Sequence, residues 1–114
     1  MQSVRTKAGD TFSFAGQVDL PAGSTWMGRG QIRREDGSPL NDDLGVLDVE
    51  ISGEEELWVI VSKPASQTVN WPRPANPGEV LIFYFDYEIY DADGDTTVSS
   101  ETVRVLVEFD PTRA

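Results

Sequence analysis

The 114-residue chain has no histidine and no cysteine. Without cysteine there is no disulfide framework, no thiolate nucleophile and no zinc knuckle. Without histidine there is no Ser–His–Asp triad, no Cys–His pair and no imidazole metal ligand. Basic residues are scarce, 9 Lys+Arg against 20 Asp+Glu, for a net charge of -11. Binding to duplex DNA depends on neutralising phosphates with lysine and arginine, so nucleic acid is a disfavoured partner, and anionic membrane surfaces are disfavoured for the same reason. Long apolar runs are missing too. The longest is Val80 to Phe85, whereas a membrane-spanning helix needs roughly 20 residues. The opening MQSVRTKAGD has no apolar core of signal-peptide type. These absences predict a soluble chain made in the cytoplasm.

What is present is a small globular composition. Hydrophobic residues make up 39% and aromatics 10%, enough for a core and too many for a disordered acidic tail. The length suits one domain over residues 1–114. Helical periodicity is nearly absent, and alternation recurs. Phe12, Phe14, Val18 and Leu20 share one parity, which reads as a half-buried strand with Gly16 marking a bulge or bend. Pro21-Ala22-Gly23-Ser24 reads as a turn. Trp26 to Glu35 is a second strand, with Trp26 and Ile32 on one face and Arg29, Gln31 and Arg33 on the other; Asp36-Gly37-Ser38-Pro39 turns the chain. Leu47, Val49 and Ile51 alternate with Asp48 and Glu50, a third strand with one wet face.

Glu54-Glu55-Glu56 closes the next turn, and Leu57 to Val61 is continuously apolar, the pattern of a central strand covered on both faces. Four prolines between Lys63 and Pro77 mark a crossing loop, with one helical turn at Ala65 to Trp71. The strongest pattern is Leu81, Phe83, Phe85, Tyr87 and Ile89 on one face, with Ile82, Tyr84, Asp86 and Glu88 on the other. After a hairpin turn at Asp91 to Asp95, a return strand runs from about Thr96 to Phe109, with Val103, Val105, Val107 and Phe109 facing in. Six or seven strands at roughly ten-residue spacing predict an all-β, immunoglobulin-like antiparallel β-sandwich.

Few residues suggest chemistry. Asp91-Ala92-Asp93-Gly94-Asp95 has the alternating aspartates of a calcium loop, but its twelfth position is Thr102, not the glutamate an EF-hand needs, so the segment reads as a plain turn with a cation site as the alternative. The carboxylate pairs Asp86/Glu88 and Asp48/Glu50 carry no mark of catalysis among 20 acidic residues, and Ser62-Lys63 has no supporting motif. Trp26, Trp58 and Trp71 read as core or interface residues, with a sugar-stacking platform as the alternative. Arg29, Arg33 and Arg34 read as a solvated strand face, or else as a patch for an acidic neighbour. No catalytic residue, cofactor or metal is expected.

Three stretches carry a resemblance: Arg5-Thr6-Lys7-Ala8-Gly9-Asp10-Thr11-Phe12-Ser13-Phe14; Gln31 to Gly37; and Tyr87 to Gly94 followed by Glu101 to Val107 and Asp110-Pro111-Thr112-Arg113. In this order the chain resembles the small β-sandwich proteins of tailed bacteriophages, most closely the N-terminal domain of phage baseplate upper protein. The resemblance implies a non-enzymatic structural component of the virion, in tail, baseplate or tail fibre, whose partners are other virion proteins and itself, with no nucleic acid, membrane or small-molecule substrate. A capsid decoration protein or a carbohydrate- or receptor-binding module is the alternative. The apolar outward residues Ile82, Tyr84 and Tyr90 are the expected assembly interface, and Met1 to Ala8 and Asp110 to Ala114 are the expected arms toward neighbours.

Overall fold

The computed structural model describes residues 1–20, 25–40, 42–53, 57–93 and 96–111, with the side chains of residues 42 and 43 excepted. The expected turns at Pro21 to Ser24 and at Glu54 to Glu56 fall outside the described residues. The chain forms β1 (Ser3–Lys7), β2 (Phe12–Val18), β3 (Trp26–Arg34), a 3-10 turn (Asp42–Gly45), β4 (Val46–Ser52), β5 (Leu57–Lys63), a single helical turn α1 (Ala65–Thr68), β6 (Val80–Asp91), β7 (Thr97–Ser99) and β8 (Val103–Glu108). It is an all-β sandwich of the immunoglobulin-like class. One layer runs β1-β8-β6-β3, with β7 also on β6; the other runs β4-β5-β2.

Alternation explains the layers. Phe83, Phe85 and Ile89 of β6 and Val103, Val105 and Val107 of β8 point inward and are buried, because side chains of a strand alternate between faces. They meet Phe12, Val59 and Val61 from the other sheet. Phe85 is the hub, edge-on to Phe12 at 5.7 Å and to Phe14 at 5.4 Å between ring centroids. Trp71, from the crossing loop, tilts against Phe12 at 5.6 Å and donates its indole N–H to the Leu44 carbonyl at 2.9 Å. A buried indole is costly unless its N–H is paired, and this bond meets that need.

Several expectations are corrected. Met1 to Ala8 is not a free arm: β1 lies parallel to β8, with Val4 opposite Val105 and Thr6 opposite Val107. Gly16 marks no bulge, since β2 pairs with β5 without a break from Phe12↔Lys63 to Val18↔Leu57. Its lack of a side chain leaves room for Tyr87, whose hydroxyl reaches from β6 to within 3.4 Å of where a Cβ would stand. The segment Leu57 to Val61 is central but not covered on both faces, because Trp58 remains 43% exposed. The helical turn stops at Thr68 rather than Trp71.

The return strand is broken in two. Between the pairs Phe85↔Val103 and Glu88↔Ser99, Asp86 and Tyr87 face Ser100, Glu101 and Thr102. Two residues opposed by three make a β-bulge. The Ser100 hydroxyl accepts the Tyr87 N–H at 2.9 Å, and the Ser100 N–H donates to the Tyr87 carbonyl at 2.8 Å. The ladder bonds at the bulge are thereby kept.

One side of the sandwich is closed by β4. Its first residues pair with β3 (Gly30↔Leu47, Gln31↔Val46), and its remainder pairs with β5 from Asp48↔Ser62 to Ser52↔Trp58. The switch works because β3 carries glycine where Val49 lies across it. A Cβ on Gly28 would stand 2.3 Å from Val49 Cγ1, and one on Gly30 would stand 3.2 Å from Val49 Cγ2. The opposite side is held at one corner by Thr68, fully buried, whose hydroxyl accepts the Gly9 N–H at 3.2 Å and donates to the Asp10 carbonyl at 2.6 Å.

Two outcomes follow from this packing. Gly28→Ala is expected to destabilise the fold by about 1–3 kcal/mol, the usual cost of overfilling a packed site, measured by urea unfolding; Gly37→Ala is the control for local backbone strain, because nothing lies near its Cβ position and its φ is +87°. Burial pushes the Tyr87 hydroxyl above the usual tyrosine value of 10.0. The folded chain therefore holds that proton more tightly than the unfolded one. The associated stability is complete below about pH 10 and is lost as pH rises through the folded value. Melting temperature is expected to fall above about pH 10, less steeply in Tyr87→Phe than in the wild type.

Candidate functional site

The outward face of the β1-β8-β6-β3 sheet is unlike the rest of the molecule. Ser3, Arg5 and Lys7 of β1 share it with Arg104, Leu106 and Glu108 of β8, because Val4 and the valines of β8 point the other way. On β6 it carries Val80, Ile82, Tyr84, Asp86, Glu88 and Tyr90, and on β3 it carries Met27, Arg29, Gln31 and Arg33. Arg5, Lys7, Arg29, Arg33 and Arg104 are five of the 9 lysines and arginines of the chain; among the described strand residues the carboxylates Asp86, Glu88 and Glu108 share the face with them, and Glu35 borders it beside Arg33 and Tyr84. A protein of net charge -11 thus gathers most of its positive charge on one sheet surface.

Register decides which groups meet. Tyr84 lies directly between Arg104 on β8 and Arg33 on β3. Strands are about 4.8 Å apart, so the two arginines rise from backbones about 10 Å apart with the phenol ring between them. Ile82 faces Leu106, and Tyr90 faces Met27, which is 48% exposed. The arginines differ in how they are engaged. Arg29 pairs with Glu88 at 3.1 Å and lies 4.9 Å from the Tyr90 ring centroid. Arg5 pairs with Glu108 at 3.5 Å. Arg33 bonds only neutral groups, the Gln31 side-chain oxygen at 2.9 Å and the Gly37 carbonyl at 3.4 Å. Arg104 donates to the Ser3 hydroxyl at 3.0 Å. Among the described residues neither Arg33 nor Arg104 has a carboxylate partner.

The surface is also relieved rather than flat. A groove of about 390 Å³ runs between β3 and β6, lined by Arg29, Gln31, Arg33, Val46, Asp86 and Glu88. A second hollow opens beside it at Tyr84 and Thr102. A third lies at the far end of β6, where Val80 and Ile82 meet Pro72. Guanidinium groups offer planar, two-pronged donors that match carboxylates, and tyrosine adds rigid contact area with little side-chain entropy to lose. The arrangement is suited to holding an anionic, partly apolar surface.

The expected interface residues Ile82, Tyr84 and Tyr90 thus stand together on this face, all half-buried and none in the core. The arginine cluster of β3 is divided by alternation: Arg29 and Arg33 share the face, and Arg34 falls on the opposite parity. Arg104 and Leu106 belong to the site as well. Their outward positions were readable from alternation, but their place beside Tyr84 and Ile82 needs the β6–β8 register.

Other candidates are not assembled into sites. Trp71 is core, Trp26 packs against the core, and Trp58 stands alone on the other sheet, so the three tryptophans form no sugar-stacking platform. Lys63 is buried and donates to the Val46 carbonyl, while Ser62 points to the opposite face of the strand, so the two do not converge. Asp48 and Glu50 lie on β4, and the Asp86/Glu88 pair lies on the other sheet. Asp91 accepts the Asp93 N–H at 2.9 Å, which makes an Asx turn; Gly94 and Asp95 are outside the described residues.

No protein-family model matches the chain, and no curated protein matches it by sequence. Among solved structures it is similar to the periplasmic chaperone SfaE, with a TM-score of 0.58 and 13% sequence identity. The alignment covers 94% of this chain and 53% of the chaperone, so the chain spans about half the length of that protein. At this identity the likeness establishes the immunoglobulin-like sandwich. It also corrects the expected role. The matched structure is a periplasmic chaperone rather than a virion protein, and no comparison supplies a phage relative. The reading as a structural part of a tailed-phage virion is withdrawn.

Proposed function

We propose that the chain is a non-catalytic protein-binding module that holds an acidic partner against its β1-β8-β6-β3 sheet. The observation that carries this reading is the Arg104–Tyr84–Arg33 row. Two arginines without carboxylate partners among the described residues flank a half-buried tyrosine on a face that gathers five of the chain's 9 lysines and arginines. Exposed arginine is easily solvated and needs no partner for stability. Its concentration on one face with Ile82, Leu106 and Tyr90 is the composition of an interface, where arginine and tyrosine are enriched. The periplasmic chaperone similar in fold supports a protein-binding role over a catalytic one. The partner would present two carboxylates about 10 Å apart, beside an apolar patch for Ile82 and Leu106.

The remaining acidic surface acts in the same direction. It repels most acidic proteins at long range, so only one shaped to the arginine row gains from contact, and like-charge juxtaposition elsewhere suppresses wrong partners. Affinity for the true partner should weaken as salt screens the arginines.

The test is capture followed by reconstitution. Wild-type protein and the Arg33→Ala/Arg104→Ala double variant are immobilised, exposed to extract of the source cells at low salt, and the retained protein is purified and titrated against both. The expected result is a partner bound by the wild type and weakened about a hundredfold by the double variant, with the melting temperature unchanged because both side chains are on the surface. Equal affinity of the two proteins for that partner would overturn the reading.

A further inference from the structure

Among the described residues, the second sheet ends in an edge that no other strand pairs. β2 pairs with β5 on one side; among the described residues no strand and no backbone hydrogen bond outside that pairing reaches its other side. Exposed edges are templates for pairing with another chain, and soluble proteins blunt them with charge, proline, bulges or short length. The other edges here follow that rule: β1 carries Arg5 and Lys7, and β7 is only Thr97–Ser99. β2 has none of these guards. Phe-Ser-Phe-Ala-Gly-Gln-Val is seven residues long, without charge or proline, and its pairing with β5 runs straight through Gly16. Ser13, Ala15 and Gln17 are exposed on its outer face, while Phe14 and Val18 are only half-buried on its inner one.

Charge indicates what would fit. The neutral strand is bracketed by exposed Asp10 and Asp19. A second copy is a poor occupant. Antiparallel pairing of two β2 strands about Ala15 sets Asp19 beside the Thr11 position of its mate, next to that copy's Asp10. The aspartates would gather at both ends, on two chains that each carry -11. A strand with cations at its ends meets those aspartates favourably.

We propose that the free edge of β2 binds an extended segment of a partner polypeptide, added as an antiparallel strand of about seven residues, alternating and uncharged in its middle and bearing lysine or arginine at each end. Main-chain hydrogen bonds to Phe12–Val18 supply the pairing, alternate side chains pack beside Phe14 and Val18, and Asp10 and Asp19 receive the terminal cations. This edge is on the opposite sheet from the arginine row and is independent of it.

The probe is a capped peptide, Lys-Val-Thr-Val-Thr-Val-Lys, with a second version ending in glutamate at both positions. Binding is followed by amide hydrogen exchange resolved by residue and by sedimentation. The lysine-ended peptide is expected to slow exchange within residues 12–18, to leave β1 amides unaffected and to bind about tenfold more tightly than the glutamate-ended one. Ala15→Lys places a cation on the edge and is expected to weaken the lysine-ended peptide about tenfold; if that variant does not fold, Gln17→Lys, exposed on the same face, serves instead. Absence of slowed exchange in β2 at saturating lysine-ended peptide would overturn the proposal. So would equal binding of the two peptides, or a dimer in sedimentation whose β2 amides are already protected without peptide.

Discussion

The register of β6 is the constraint on which both halves of the molecule depend. This strand of 12 residues is paired on both sides, with β3 from Trp26↔Asp91 to Arg34↔Phe83 and with β8 from Val80↔Glu108 to Phe85↔Val103. Its odd-numbered residues build the core around Phe85, and its even-numbered residues build the outer face around Tyr84. A slip of one residue would send every side chain to the wrong surface. Core packing therefore fixes the outer face as well. Burying Phe83, Phe85 and Ile89 turns Tyr84 outward, and the pairing with β3 and β8 then sets it between Arg33 and Arg104. The bulge at Ser100 to Thr102 helps hold that register, because the Ser100 hydroxyl keeps the Tyr87 amide bonded where the facing strand has an extra residue.

Strand parity was legible in the sequence, and so was the pairing of the Val80 to Tyr90 strand with the return strand that follows its hairpin; the other strand neighbours were not. The alternation of Leu81 to Ile89 and of Val103 to Val107 gave their inward faces directly, and Ile82, Tyr84 and Tyr90 followed as outward. The segment Val4 to Lys7 alternates as clearly, yet it is short and polar, and only the parallel ladder to β8 shows it to be a strand of the sheet. The break after Ser99 was hidden because threonine, valine and serine read as continuous strand; an inserted residue becomes visible only when a partner is counted against it. The covered-strand reading of Leu57 to Val61 failed at Trp58, whose large side chain is tolerated on a half-wet face. The arginine row is a relation between three strands far apart in sequence, so no local pattern could have displayed it.

The sandwich is asymmetric from side to side. On one side β4 leaves β3 and joins β5, made possible by Gly28 and Gly30 beneath Val49, so the two sheets are continuous there. On the other side the sheets end separately in β1 and β2, joined by a short corner that Thr68 ties down. The charged edge and the neutral edge lie on this second side, and the basic face lies on the sheet that ends in β1. The strongly acidic remainder opposes close approach of like-charged chains and sets the basic face apart from the rest of the surface.

The central claim is that Arg33 and Arg104, flanking Tyr84, are the groups open to an acidic ligand, while Arg5 and Arg29 are already engaged. Nuclear magnetic resonance of the arginine side-chain Nε–H groups tests it directly during titration with an extended Glu-Val-Glu peptide at low salt. The account predicts that the Arg33 and Arg104 signals move together along one saturable curve, with Arg5 and Arg29 nearly still. Movement spread evenly over all four, or none at Arg33 and Arg104, would contradict it.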